Sequence, residues 1–86
     1  GRARPEILAA CEMAVGGEPV VVRYRPSGRA AERFPFSITA VERSLDPPRV
    51  MGYLVPGRGR RELRTDRILA VEPPEGSQDG QAPGRT

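Results

Sequence analysis

From Arg33 to Ala40 the chain alternates without a break. Phe34, Phe36, Ile38 and Ala40 fall on one parity, and Arg33, Pro35, Ser37 and Thr39 on the other. A repeat of two places successive side chains on opposite faces of a strand, whereas a helix would scatter these apolar residues around its circumference. The segment is therefore a β-strand with one buried face, and it needs partner strands. Pro35 sits on the polar parity and has no N–H to give, which predicts an edge or a bulge there.

The partners are readable on both sides. Val20 to Arg25 is β-branched and aromatic, with Val20, Val22 and Tyr24 on one face and Val21, Arg23 and Arg25 on the other. Pro26-Ser27-Gly28 makes a turn between these two strands, and Asp46-Pro47-Pro48 makes the next. A third strand is expected over Val50–Val55, a tight loop over Pro56-Gly57-Arg58-Gly59, a fourth strand over Arg61–Thr65 and a fifth over Ile68–Glu72. Residues 4–15 read as a short helix, with Pro5 in its first turn and Gly16-Gly17 stopping it. Leu8, Cys11 and Val15 form its expected apolar stripe, with Ile7 and Ala14 beside it. From Pro73 onward no apolar residue exceeds alanine in size, so 73–86 is expected to be a disordered tail or linker.

Length allows one domain: 86 residues, with ten glycines and ten prolines that favour turns over long helices. The expected fold is mainly β, a small five-stranded SH3-like or Sm-like barrel over residues 1–72 with one N-terminal helix. Closure would remove the sheet edges, which matters in a domain that buries only about 60% of its unfolded surface.

Several chemistries are absent. Histidine is missing, which removes the commonest general base and metal ligand. No nucleophile–base pair, metal cluster or phosphate-binding loop is evident, so the chain reads as non-enzymatic, with no cofactor. The single cysteine, Cys11, has no internal disulfide partner, which makes a reducing cytoplasm the expected location. A buried inert thiol is the expected state for Cys11, ahead of a redox role. No apolar run approaches the ~20 residues of a membrane span. The chain starts on Gly1 rather than Met, consistent with a piece of a longer protein.

All 14 basic residues are arginine, against 11 acidic residues, for a net charge of +3. Every positive charge is thus a planar fork that binds phosphate bidentately and stacks on bases. Arg23, Arg25, Arg33, Arg58, Arg60, Arg61, Arg64 and Arg67 cluster on the strands and the glycine loop, with Tyr24 and Tyr53 as aromatics carrying a polar handle. If the two hairpins adjoin, these ten residues line one groove for an anionic ligand. The plainer reading is a solvated charged surface, with Glu32, Glu42, Glu62 and Asp66 as partners. Under it the tyrosines fill the barrel wall, Asp66 caps a turn, and Arg67 forms a structural ion pair.

The segments Val20-Val-Val-Arg-Tyr24, Arg33-Phe-Pro35, Gly52-Tyr53-Leu54-Val55 and Leu63-Arg-Thr-Asp-Arg-Ile68 occur in an order that resembles WYL domains. The likeness covers roughly residues 5–72, with Gly52 where that family carries its namesake tryptophan. The resemblance implies an Sm-like barrel in a bacterial cytoplasmic protein. It further implies a regulatory or accessory role in a transcription regulator or helicase-type protein, with a basic face for single-stranded DNA or RNA or a nucleotide-like ligand. The alternative expectation is a protein-interaction or homo-oligomerisation barrel.

Overall fold

The structure is a computed structural model, and it describes residues 4–57 and 59–74. The expected tail from residue 75 onward and Arg58 lie outside the described residues. The elements run α1 (Pro5–Met13), β1 (Val20–Tyr24), β2 (Glu32–Glu42), β3 (Arg49–Leu54), β4 (Arg60–Arg64), a 3-10 turn (Thr65–Arg67) and β5 (Ile68–Glu72). This is the expected order of one helix and five strands, with ends shifted by a residue or two.

The strands form one antiparallel sheet in the order β4-β3-β2-β1-β5. The sheet is open, which corrects the expected closed barrel: β4 and β5 lie at opposite ends and share no ladder. It is nevertheless strongly curled. Four flat strand spacings would separate β4 from β5 by about 19 Å. The four chain steps from Arg64 to Ile68 reach at most about 14 Å. Two irregularities help the bend, one between Ile38 and Ala40 on β2 and one between Arg23 and Tyr24 on the β1–β5 pair.

The first irregularity also alters the pattern that made β2 legible. Ile38 pairs with Gly52 and Ala40 with Met51, so Thr39 is the extra residue of a bulge, and its hydroxyl donates to the Met51 carbonyl. Beyond it the core-facing parity changes, and Val41 packs on the core in place of Ala40. Pro35 is neither on an edge strand nor at the bulge, since β2 is the central strand. Its carbonyl accepts from the Val55 N–H at 3.2 Å. In an antiparallel pair the reciprocal bond would come from the N–H of the same residue, which proline lacks. Pro35 therefore ends the β2–β3 ladder.

The core lies on the concave side: Val22, Tyr24, Phe36, Ile38, Val50, Leu63 and Ile68, closed by Ile7 and Cys11 from α1. The helix stripe differs from the expected one. Ile7 and Cys11 are buried and Ala14 packs beside them, at helical spacings of four and three. Val15 is exposed because the helix stops at Met13. Gly16, at φ 77°, turns the chain out of the helix and donates its N–H to the Ile38 carbonyl at 3.0 Å. Thr65, the one buried polar side chain among the described residues, gives its N–H and hydroxyl to the Pro48 carbonyl.

Candidate nucleic-acid interface

The sheet register sorts the arginines between two faces. On the convex face Arg23 of β1 stands directly opposite Arg33 of β2. Like charges so placed repel. Arg33 is held by Glu72 of β5, with guanidinium nitrogens at 3.2 and 3.3 Å from the carboxylate. Arg23 has no side-chain partner among the described residues. Arg25 follows on the same parity, exposed, with its N–H given to the Arg67 carbonyl.

Two residues along the strands, the same face turns apolar. Val21 pairs with Pro35 on one side and Glu72 on the other. Val21 is only 2% exposed although it faces away from the core. It floors a cavity of about 330 Å³ lined also by Pro19, Val20, Pro35, Val55, Pro74 and Glu18. The next row is Ser37, Tyr53 and Arg60, in register across β2, β3 and β4. Tyr53 is 37% exposed and Arg60 is exposed and without a side-chain partner among the described residues. The convex face thus presents an apolar slot between the Arg23–Arg33 pair and a Tyr53–Arg60 pair.

The other predicted site residues fall elsewhere. Tyr24 is a core residue: its ring meets Phe34 edge-on at 6.5 Å and its hydroxyl accepts the Arg64 N–H, so its faces are not offered to a base. Arg61 faces the concave side, where its guanidinium lies 5.3 Å from the Phe34 ring centroid. Its cross-strand partner is Gly52. A β-carbon on Gly52 would come within 2.0 Å of the Ser37 carbonyl oxygen, so a tryptophan has no room there. Arg64 grips Asp66 through two bonds of 3.0 and 2.8 Å, and that guanidinium holds the Asp66 carboxyl below its usual range. Asp66 is thus an ion-pair partner of Arg64 and makes no capping bond to the 3-10 turn, and the ion pair expected of Arg67 is not found among the described residues. Arg67, the last residue of that turn, is half-buried.

The apolar slot and Glu72 were missed by sequence reasoning. The signal for the slot is the uninterrupted Val20-Val21-Val22, since a strand covered on both faces reads as a continuous apolar run. Among the described residues no group of three or more acidic or cysteine side chains is placed to hold a metal, and no helix is long and apolar enough to cross a membrane. No family model, characterised protein or solved structure matches the chain.

Proposed function

We propose that the chain is a non-enzymatic module that binds single-stranded nucleic acid across its convex sheet face. The carrying observation is the Tyr53–Arg60 pair, directly opposite on adjacent strands and open to solvent. An aromatic face takes a base whatever its sequence, and a guanidinium beside it takes the following phosphate. Arg23, at the far side of the apolar slot, supplies a second phosphate contact. The four steps from Arg33 to Ser37 along β2 separate the two rows by about 13 Å, room for a strand of two or three nucleotides. The WYL resemblance supports this reading, under which the module would serve a bacterial transcription regulator or helicase-type protein.

Fluorescence anisotropy with short single-stranded DNA and RNA at low and moderate salt tests the reading. Three cations without side-chain partners, Arg23, Arg25 and Arg60, predict a log–log salt slope of roughly −2. Absence of binding at low salt eliminates it.

A further inference from the structure

The geometry points to a second copy of this chain as the partner of strand β4, joined edge to edge about a two-fold axis at Arg61. The inference does not depend on nucleic-acid binding.

Strand β4 is one of the two ends of the sheet. Its backbone orientation follows from the bonds that flank it. The Leu54 N–H donates to the Gly59 carbonyl and the Thr65 N–H to the Pro48 carbonyl, both at 3.1 Å. Odd-numbered residues of β4 therefore point their backbone groups toward β3, and Arg60, Glu62 and Arg64 point theirs outward. The outward N–H of Arg64 is taken by the Tyr24 hydroxyl at 3.2 Å. The N–H and C=O groups of Arg60 and Glu62 have no partner among the described residues. A groove of about 290 Å³ runs beside them, lined by Met51, Gly52, Arg60, Arg61 and Glu62. The opposite edge is covered differently: α1 packs beside β5, and Arg4 donates to the Leu69 carbonyl.

Charge selects the occupant and the register. An antiparallel copy can pair its outward residues in three ways. Placing Arg60 against its own symmetry mate brings two cations together. Placing Glu62 against its mate brings two anions together and needs the Arg64 N–H that Tyr24 already holds. The third register sets Arg60 against Glu62 of the second copy, twice, and uses only groups that are open. Each Glu62 carboxylate, already 3.4 Å from Arg49 of its own chain, would then lie between two arginines. The two Arg61 residues face each other on the concave side, and each is drawn inward over Phe34. Charged residues commonly blunt an exposed edge. Here their signs alternate at a spacing of two, which makes the edge complementary to itself.

Sedimentation of the chain alone tests the proposal, with R60E, E62R and the double variant R60E/E62R. Wild type and the double variant should show a concentration-dependent monomer–dimer equilibrium. Each single variant should associate about tenfold more weakly, because one substitution turns both symmetry-related pairs repulsive. The two single variants should associate when mixed. An independent arm uses R61C, whose facing positions fall within the Cα range of a disulfide. Mild oxidation should cross-link R61C and leave Y53C without a cross-link. A wild-type chain that stays monomeric at all concentrations, single variants that dimerise like wild type, or R61C that fails to cross-link overturns the proposal.

Discussion

The Tyr24 hydroxyl on β1 accepts the backbone N–H of Arg64 on β4, 40 residues away, at 3.2 Å. Three strand positions separate the two residues in the sheet. The bond is therefore a tie across the curl. Tyr24→Phe keeps the ring packed on Phe34 but leaves a part-buried donor unpaired. The expected loss is about 1–2 kcal/mol of stability. It should appear as a lower urea midpoint with an unchanged slope, since the surface exposed on unfolding is the same.

Gly52 is required by a close approach rather than by its backbone angles. Its Cβ position lies 2.0 Å from the Ser37 carbonyl oxygen and 2.9 Å from a Phe36 ring carbon. Backbone cannot swing aside as a flexible side chain can. Gly52→Ala should cost about 3 kcal/mol, at the upper end for overpacking. Gly57→Ala, where nothing lies within 4 Å of the new carbon, should stay within about 0.5 kcal/mol of wild type. Thermal denaturation of the two variants side by side measures the contrast.

The contrast between these residues shows what was legible in the sequence. Alternation from Phe34 to Ile38 placed β2 and its core face correctly, because burial on one side imposes a period of two. It failed at Thr39, since a bulge changes parity without leaving a residue-type signature. The convex face was half legible. Arg23, Arg60 and Tyr53 were nominated from residue type, whereas Glu72 and the Val21 slot depend on which strands become neighbours. For Tyr24 the sequence leaves ligand contact and barrel wall both open, and the structure shows the second. Its hydroxyl reads as a ligand-binding handle until the curl of the sheet brings β4 within reach.

Acid should weaken the fold through identifiable carboxylates. Hydrogen bonding to Arg64 holds the Asp66 carboxyl low, and hydrogen bonding to Arg43 does the same for Glu12 on α1. A carboxyl whose folded-state value is depressed contributes stability that is fully present above the unfolded value and is lost as pH falls through the folded one. Stability should therefore be level above about pH 5 and decline from about pH 4 downward. Urea midpoints measured across that range check the direction. Asp66→Asn should lower the plateau and flatten the acid limb.

Cys11 is fully buried, and burial, with the Glu12 charge adding to it, pushes its thiol up to about 11. The thiolate is the reactive form, so it is scarce at neutral pH and shielded as well. A thiol reagent at pH 8 should label the native chain slowly, at a rate set by opening of the α1 packing. Labelling should become immediate in denaturant. Fast labelling of the native chain would place Cys11 at the surface and contradict the packing of α1 on the sheet.

The convex-face residues should separate by the kind of loss they produce. Arg23→Gln removes one phosphate contact, so it should weaken single-stranded DNA binding uniformly across sequences and make the salt slope shallower by roughly 0.7. Tyr53→Ala removes a stacking surface, costing about 1–3 kcal/mol of binding with little change in salt slope. Arg64→Gln is the discriminating control. Its guanidinium is committed to Asp66, so it should lower stability and leave affinity near wild type under folding conditions. Arg61→Gln, on the concave side over Phe34, should behave like Arg64→Gln. If Arg61→Gln weakens binding as much as Arg23→Gln does, the ligand lies on the concave side or around the β4 edge, and the convex-face assignment is wrong. Anisotropy titrations of the four variants at two salt concentrations, each paired with a urea curve, decide between the two faces.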